Sequence, residues 1–416
     1  MAPDATTRWL ASMVPFKSAE GVTAPVVPIL ATVLGAGASA IGVMEFLFQT
    51  MMMAGAFTWG HASDRFRLRK PFLVAGFALA GLGILGMGLA PNFATMLPSR
   101  MVMGFGMASI GAVGGALLAD LSQARDLGSR IGLLNAVGGV GYTVGLVGGG
   151  LVVYWYTDLA PGWLFTGAGL LALVSIPMAV RLVREPDDIA EEDGTDLAYA
   201  DEDTPTIEVT QDRTYSPFVF VHRPEELSVT RRAAAFLSSI FLVYLSMSAV
   251  MVLLPLYLLE VGGGSEAAVF LVFVVHSAVS AFSFTPAGRL ADRIGYRTTQ
   301  VSAMTLRMVA FAFLAMPLFA TTGPIAGVFV VVGVSTAVIA STGPATLFKG
   351  MPFRERGELS GIFNVATGAG KATGSITAGL IVAFAGFPSL FLLATMMTGA
   401  GTMVTAYIAY PEGARF

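Results

Sequence analysis

The sequence contains no cysteine and very little charge. The absence of cysteine among its 416 residues excludes disulfide bridges and thiolate metal sites. Charged residues make up 12% of the chain, about half of the roughly 25% that is typical of soluble domains. Because so few charges cannot cover the surface of a chain of this length, the excess apolar surface must face lipid. The composition therefore excludes a soluble enzyme, a nucleic-acid binder and a secreted disulfide scaffold, and indicates a polytopic membrane protein.

Two further signals are missing. Residues Met1–Trp9 lack the basic region and the small-residue cleavage site of a signal peptide, so we expect the N-terminus to stay attached and cytoplasmic. The sequence has no Walker-type phosphate loop, and its three histidines are scattered. We therefore expect no cofactor, no metal site and no enzymatic activity.

The sequence does contain long apolar stretches. A membrane-spanning helix needs about 20 mostly apolar residues, and twelve such stretches occur. They predict an all-α membrane protein with one six-helix bundle in residues 1–184 and another in residues 231–416. The predicted spans cover residues 9–34, 38–60, 70–90, 93–119, 129–155, 162–183, 232–259, 266–289, 298–320, 323–348, 358–384 and 387–410.

An acidic segment separates the two sets of spans. Residues 185–230 contain 14 Asp and Glu side chains and no long apolar run. This composition is typical of a solvated linker. A segment that binds a partner is the alternative interpretation.

The basic residues predict how the chain is oriented. Of the 24 lysines and arginines, 20 fall in the termini, the linker or the loops on one side of the predicted spans. By the positive-inside rule this side is cytoplasmic. We therefore expect a protein of the cell membrane with both termini and the linker in the cytoplasm. The remaining four basic residues fall inside spans and are Lys17, Arg100, Arg307 and Lys371.

The two sets of spans repeat each other. Gly60–Arg65 (GHASDR) aligns with Gly288–Arg293 (GRLADR) at an offset of 228 residues. Two parallel halves imply a pseudo-two-fold axis along the membrane normal, so a binding site is expected between the halves near mid-depth. At an offset of 229, Gly132, Asn135, Gly139, Gly141, Gly145 and Gly150 align with Gly361, Asn364, Gly368, Gly370, Gly374 and Gly379, and Pro28 aligns with Pro255 at 227.

These motifs resemble those of a known family. The loop Gly60–Lys70 and its copy Gly288–Gly295 resemble the signature cytoplasmic loop of the major facilitator superfamily. Arg100 with the glycines that follow it resembles the fourth-helix motif of that superfamily. The segments Gly21–Pro28 and Gly141–Gly150 are similar to the first-helix and fifth-helix motifs of its drug–proton antiporters. The resemblance implies alternating access, in which two bundles rock about a central cavity.

The sequence departs from the motifs at two positions. Leu146 stands where the fifth-helix motif of the antiporters carries proline, and Arg67 stands where the first loop usually carries glycine. The first departure weakens the match to the antiporter branch. The second leaves the match to the superfamily unchanged.

The first half carries four charged residues inside its spans. Lys17 and Glu20 lie three residues apart and so on one helical face, and Glu45 and Arg100 lie in the outer halves of the second and fourth spans. We expect one network, which is either a neutralised cluster that fixes helix positions or a proton-coupling site. In the second interpretation Glu20 is the first candidate for the proton carrier, Glu45 is the second, and Arg100 stabilises the deprotonated form.

The first span also carries a predicted break. Pro25 lacks the backbone amide that would bond to the carbonyl of Gly21. We therefore expect a kink or a loosened turn directly beyond Glu20, with the Gly21 carbonyl free near the carboxylate.

The second half has basic side chains but no carboxylate at depth. Lys371 takes the place of Tyr142 in the repeat, and because a buried lysine needs either an anion or the loss of its proton, we predict that it faces substrate. Histidine is the residue type that ordinarily titrates near neutrality, and His276 is either a substrate contact or a hydrogen-bonded interior histidine. Arg307 is expected to snorkel or to pair structurally.

Polar and aromatic residues complete the predicted site. Asn135 and Asn364 are expected to form interhelical hydrogen bonds, with substrate contact as the alternative. The predicted cavity lining includes Tyr142, Tyr244, Tyr257 and Phe105. The predicted substrate contacts are Lys17, Glu20, Arg100, Asn135, Tyr142, His276, Asn364 and Lys371. The predicted gating residues are Asp64, Arg65, Asp292 and Arg293, of which the two aspartates can cap helix N-termini in one state.

The leading functional prediction is a proton-coupled antiporter that exports small amphipathic compounds. The runner-up transports an organic anion, because the basic side chains outnumber the carboxylates in the predicted cavity. A third alternative transports a lipid or lysolipid. The expected partners are a small-molecule substrate, protons and the lipid bilayer, with no nucleic acid, and the chain is expected to be a monomer.

Overall fold

The computed structural model describes residues 7–121, 127–156, 161–185, 231–316, 321–348 and 353–407. In these residues every regular element is a helix. The acidic segment 186–230 lies outside the described residues. The helices form twelve transmembrane spans in two bundles of six, as the sequence predicted.

The first bundle contains the spans that precede the acidic segment. Its first span is broken into a 3-10 helix, Arg8–Ser12, and two α-helices, Met13–Thr23 and Val27–Val33. Residues 24–26 between the α-helices contain Pro25, so the predicted break is confirmed. The second to sixth spans are Ala38–Phe66, Lys70–Gly88, Phe93–Asp120, Leu127–Trp155, and the pair Pro161–Leu173 and Ser175–Leu182.

The second bundle contains the other six spans. The eleventh and twelfth spans form one helical element, Phe353–Tyr407, which is interrupted at Gly386 by a φ of 76° and a ψ of 175°. Glycine adopts this backbone conformation without the steric penalty that a Cβ would bring. The seventh to tenth spans are Arg231–Glu260, Glu266–Ile294, Tyr296–Leu314 and Thr322–Phe348.

The repeat extends to the packing of individual helices. In the first bundle, the fifth span approaches the first so closely that a methyl group on Gly145 would overlap the carbonyl oxygen of Ser18. In the second bundle, a methyl group on Gly374 would overlap the carbonyl oxygen of Leu245 in the same way. The two glycines are 229 residues apart and their two partners 227 apart. Small residues therefore allow the same close helix contact at equivalent places in both halves.

The two bundles meet through glycine contacts at one side of the membrane. We call the side that carries Asp64 and Asp292 the motif side, and the opposite side the far side. Near the far side, Gly42 of the second span lies against Gly379 of the eleventh. The fifth span lies against the ring of Phe270 in the eighth span, which is 1% exposed.

The fifth and eighth spans separate towards the motif side. At mid-depth they still touch, because Thr143 Oγ1 and Ser277 Oγ are 3.1 Å apart. Residues seven apart share a helical face. Yet Phe284, seven residues after Ser277, is 45% exposed, and a Cβ on Gly139, one turn before Thr143, would meet nothing within 4 Å. The space between the bundles therefore opens to the motif side.

The contact at Gly42 generates a testable prediction. A Cβ on Gly42 would lie 2.7 Å from the backbone oxygen of Ser375 and 2.9 Å from Gly379 Cα, and backbone atoms cannot move aside without shifting a helix. We expect Gly42→Val to disfavour the conformation that is open to the motif side. Because the protein has no cysteine, a single cysteine in place of Phe284 reports this opening. Its labelling rate should fall several-fold in the Gly42→Val background.

The matched control is Gly111→Val in the fourth span, where a Cβ would meet nothing within 4 Å. It introduces the same side chain into a helix of the same bundle, so the labelling rate at position 284 should stay unchanged. Equal labelling in the Gly42→Val and Gly111→Val backgrounds would show that the far-side contact does not control the opening.

Candidate functional site

Glu20 and Lys17 form an ion pair in the middle of the first span. Lys17 Nζ donates to Glu20 Oε2 at 2.7 Å, and the two side chains are 22% and 17% exposed, in that order. Glu20 Oε1 has no hydrogen-bond partner among the described residues. The charge of Glu20 acts on the phenol of Tyr142 in the fifth span and on the ammonium group of Lys371 in the eleventh. The carboxylate therefore lies beside the space between the two halves.

Glu45 and Arg100 form a second ion pair, which is more deeply buried. Arg100 Nε and Nη2 donate to the two carboxylate oxygens of Glu45 at 2.9 Å and 3.0 Å. The guanidinium carbon lies 3.8 Å from the ring centroid of Phe48, and Nη1 lies 3.2 Å from the sulfur of Met103. Residue exposures of 6% for Glu45 and 7% for Arg100 show that little solvent reaches this pair.

The four charges of the first half do not form the single network that the sequence suggested. In the described part of the chain no hydrogen bond or ion pair joins Lys17 or Glu20 to Glu45 or Arg100. The reason is position along the helices: Glu20 lies in the middle of its span, while Glu45 and Arg100 each lie seven residues from the far-side end of theirs. The prediction of one network was therefore wrong, and the structure contains two separate pairs.

Lys371 lies in the middle of the eleventh span with an exposed side chain. Its ammonium nitrogen is 5.6 Å from the ring centroid of Tyr244 in the seventh span, and among the described residues it forms no ion pair. Its helix is tightly packed, because a Cβ on the adjacent Gly370 would lie 2.5 Å from the carbonyl oxygen of Phe241. A side chain that is exposed on such a helix extends into the space between the bundles.

The repeat places the lysines and tyrosines in exchanged positions. Lys17 in the first span aligns with Tyr244 in the seventh at an offset of 227, while Tyr142 in the fifth aligns with Lys371 in the eleventh at 229. Each half therefore presents one lysine and one tyrosine, on opposite members of the same helix pair. Glu20 has no acidic twin, since Met247 occupies the equivalent position. Of these two lysines, Lys17 has a carboxylate partner, whereas Lys371 has none among the described residues.

His276 and Arg307 share a hydroxyl group inside the second bundle. Arg307 Nη2 donates to Thr336 Oγ1 at 2.8 Å, Arg307 Nε donates to Ser335 Oγ at 3.0 Å, and His276 Nε2 lies 3.3 Å from the same Thr336 oxygen. Arg307 is 3% exposed. Of the two roles expected for Arg307, snorkelling and structural pairing, the second is the one observed, because the guanidinium group is turned into the bundle instead of towards the membrane surface. Its depth was visible in the sequence, but the direction of its side chain depends on helix rotation.

The remaining predicted lining residues fall into two groups. Asn135 and Asn364 are exposed and make no side-chain hydrogen bond among the described residues, so the interhelical bonds expected of them are not present. Tyr257 is 3% exposed, and its hydroxyl oxygen is 3.4 Å from the carbonyl of Leu314. Phe105 packs on Trp59 with ring centroids 5.1 Å apart. Tyr257 therefore belongs to the bundle core, contrary to the prediction, and Phe105 packs against the second span.

The predicted gating residue Asp64 takes part in a network at the motif side. Arg69 Nη1 donates to Asp64 Oδ1 at 2.6 Å, and Arg69 Nε donates to Asp120 Oδ2 at 2.8 Å. The Glu185 carboxylate accepts the backbone N–H groups of Arg69 and Lys70, at the start of the third span. Burial lowers the pKa of Arg69, but the hydrogen bonds and charges of Asp120 and Asp64 outweigh this effect and raise the pKa above its ordinary value.

Three members of this network were absent from the sequence-based site: Arg69, Asp120 and Glu185. Glu185 caps a helix N-terminus. From the sequence we expected this role of Asp64, and we placed Glu185 at the start of the linker. Asp292 in the second half accepts a hydrogen bond from Tyr296 at 2.9 Å. Arg65 and Arg293 are exposed.

The burial of the two ion pairs predicts different effects on stability. Removing one partner of a buried pair leaves an uncompensated charge and costs about 3–5 kcal/mol. We expect Glu45→Gln to lower the melting temperature of the detergent-solubilised protein more than Glu20→Gln does, because Glu20 and Lys17 remain partly hydrated. The double variant Glu45→Met with Arg100→Met should recover part of the loss. Equal destabilisation by Glu45→Gln and Glu20→Gln would contradict this ranking.

The two bundles, with charged side chains at mid-depth between them, define a multi-pass membrane transporter. The sequence profile of the Major Facilitator Superfamily matches residues 12–238 and again residues 236–415. The chain therefore belongs to this superfamily, and the resemblance inferred from its motifs is confirmed. A solved structure of the nucleoside transporter NupG covers 97% of both chains with a TM-score of 0.73. At 13% identity this likeness establishes the fold alone.

Two relatives of known name match shorter stretches. The class C tetracycline resistance protein of Escherichia coli is 36% identical over 115 residues, which are 28% of each chain. The multidrug resistance protein B homolog of Mycobacterium tuberculosis is 34% identical over 124 residues, which are 30% of this chain and 21% of the relative. The chain thus matches less than a third of the length of these relatives.

Proposed function

We propose that the protein is a proton-coupled secondary transporter that exports a small amphipathic solute in exchange for protons. The motif side is assigned to the cytoplasm, because 20 of the 24 basic residues flank the spans on that side. The termini and the acidic linker then also lie in the cytoplasm. The opening between the fifth and eighth spans would admit solute from the cytoplasm, which is where export begins.

The observation that carries this proposal is the position of Glu20. A proton carrier has to be reached by water and has to keep an oxygen free to accept the proton. Glu20 is partly exposed beside the space between the halves, and its Oε1 has no partner among the described residues. Protonation of Glu20 would free Lys17 for other contacts. A carboxylate in this setting can exchange a proton as its surroundings change.

Glu45 is less suitable as the carrier. Both of its oxygens accept hydrogen bonds from Arg100, and the pair is almost inaccessible to water. Protonating Glu45 would leave the Arg100 charge uncompensated in a nearly dry site, at a cost of several kcal/mol. We therefore assign Glu45 and Arg100 to holding the second and fourth spans together, and Glu20 to proton coupling.

The direction of transport is proposed from two considerations. The relatives named above are resistance proteins by their names, and the first-helix and fifth-helix motifs resemble those of drug–proton antiporters.

Proteoliposomes test the proton site. With ethidium as a permanently charged probe and an acidic lumen, exchange should drive ethidium uptake together with proton release. We expect Glu20→Gln to abolish the coupled proton release, because an amide cannot carry the proton. Glu45→Gln is the matched control, since it makes the same chemical change at the other carboxylate and should retain coupling in the folded fraction. Full coupling in Glu20→Gln would overturn the assignment.

A second candidate function is cotransport of an organic anion with protons. The specific observation that favours it is Lys371, whose ammonium group extends into the space between the halves without an acidic partner among the described residues. Protonation of Glu20 removes a negative charge close to Lys371 and so strengthens anion binding. Binding of the proton and binding of the anion would then each strengthen the other, and both would move in the same direction. A proton and a cation would instead compete for the site.

The sign of a pH jump separates the two candidates. Benzenesulfonate is suitable as the anion probe because it stays ionised and does not redistribute as a weak acid. If the protein cotransports anions, acidifying the outside should drive benzenesulfonate into proteoliposomes, and Lys371→Gln should abolish this uptake. If it exchanges solute for protons, the same gradient should drive no uptake of either probe, while an acidic lumen should drive ethidium uptake.

A further inference from the structure

The membrane interior of the second half contains no acidic side chain. The sequence has no Asp or Glu in residues 231–259, 267–291, 293–354 or 359–411. The acidic residues that border these stretches lie at or beyond the ends of the spans: Glu260 ends the seventh span, Glu266 and Asp292 lie near opposite ends of the eighth, Glu355 and Glu358 lie at the start of the eleventh, and Glu412 follows the twelfth. The same interior nevertheless contains the positive charges of Arg307 and Lys371. In the first half, by contrast, each buried base has a carboxylate partner.

Arg307 keeps its positive charge with only partial hydrogen bonding. Its side chain has five N–H donors and donates to two hydroxyl oxygens, those of Ser335 and Thr336. Both hydroxyls donate their own hydrogen to the carbonyl of Val332, at 2.8 Å each, so towards Arg307 they act only as acceptors. Nη1 has no hydrogen-bond partner among the described residues, and it is not among the fully enclosed polar atoms. This nitrogen is therefore left with hydrogen-bonding capacity that the described side chains do not use.

Tyr244 connects this guanidinium group to Lys371. Its ring lies 5.6 Å from Lys371 Nζ, and it packs against the apolar cluster that includes Met304, three residues before Arg307 in the ninth span. Tyr244 is on the seventh span, Arg307 on the ninth and Lys371 on the eleventh, so three helices of one bundle contribute to a single positive region. Lys371 is exposed to the space between the halves, whereas Arg307 is buried behind it.

A positive charge in the membrane interior is costly unless an anion or water offsets it. No side chain of the second half supplies that anion at this depth. A guanidinium group matches a carboxylate or phosphate in geometry, because its planar N–H groups donate in a fixed fork. An anion from outside the chain would satisfy Nη1 of Arg307 and would also neutralise the ammonium group at the entrance.

We propose that the interior of the second half is an anion-binding site, with Arg307 at its floor, Lys371 at its entrance and Tyr244 between them. The ligand is a carboxylate-type group or a small inorganic anion, and it is either part of a transported solute or a resident counter-ion. The site does not depend on proton coupling or on the direction of transport. It can be tested on purified protein without a gradient.

The experiment measures binding to the full chain in detergent at constant ionic strength and pH. Sodium benzoate and sodium chloride are titrated separately, with HEPES as the bulky counter-anion, while melting temperature and heat of binding are recorded. We expect saturating anion to raise the melting temperature of the wild type by about 2–4 °C. Arg307→Met should abolish this rise, and Lys371→Gln should weaken the dissociation constant by roughly tenfold or more.

Arg231→Gln is the matched control, because Arg231 is an exposed base at the start of the seventh span. It should bind the anion as the wild type does. If Arg307→Met fails to fold, Lys371→Gln and Tyr244→Phe still test the site, since neither removes a fully buried charge.

The outcomes distinguish an organic anion from an inorganic one, and two of them would refute the proposal. A stronger response to benzoate than to chloride at equal concentration assigns the site to an organic anion, and the reverse assigns it to an inorganic counter-ion. No response of the wild type to either anion would overturn the proposal. An undiminished response in both Arg307→Met and Lys371→Gln would overturn it as well. Neither of these results depends on proton flux, so the proposed transport function stands or fails separately.

Discussion

The cost of placing a charge inside a membrane constrains most of what is specific to this structure. The two halves have the same helix pairs and the same glycine contacts, yet they meet that cost differently. In the first half the two bases at membrane depth, Lys17 and Arg100, are each paired with a carboxylate, and one of the two pairs is nearly dry. In the second half Arg307 is surrounded by hydroxyl groups and Lys371 faces the open space. The pseudo-symmetric fold therefore carries an asymmetric distribution of charge.

Close backbone packing within each bundle holds these charged groups in fixed positions while one bundle moves relative to the other. Within each bundle, glycine allows two helices to touch through their backbones, at Gly145 in one half and Gly374 in the other. Such contacts leave no room for side chains to adjust, so each bundle should move as a unit. Between the bundles the glycine contact at Gly42 lies on the far side, and the separation of the fifth and eighth spans is on the motif side. A contact at one side combined with a gap at the other is the geometry of a rocking motion.

Much of the fold could be predicted from the sequence because the relevant signals are local and repeated. The length of the apolar stretches predicted the spans, and the missing amide of Pro25 predicted the break in the first span. The constant offset between the halves located the equivalent positions. The pairing of charged groups could not be predicted in the same way, because it depends on helix rotation and depth, which tertiary packing sets. For Arg307, snorkelling and structural pairing therefore both remained open, and Glu185, which caps the third span, was counted with the linker.

The two ion pairs of the first half also differ in how a relative movement of the two bundles affects them. Glu45 and Arg100 belong to the same bundle, so a rocking motion of one bundle against the other leaves their distance unchanged. Glu20 belongs to one bundle and Lys371 to the other, and their charges act on each other across the intervening space. That interaction must weaken as the halves separate around it, because it falls with distance and with the entry of water. Of the two carboxylates, Glu20 is therefore the one whose electrostatic surroundings change as the halves separate, which is why we propose Glu20, and not Glu45, for proton coupling.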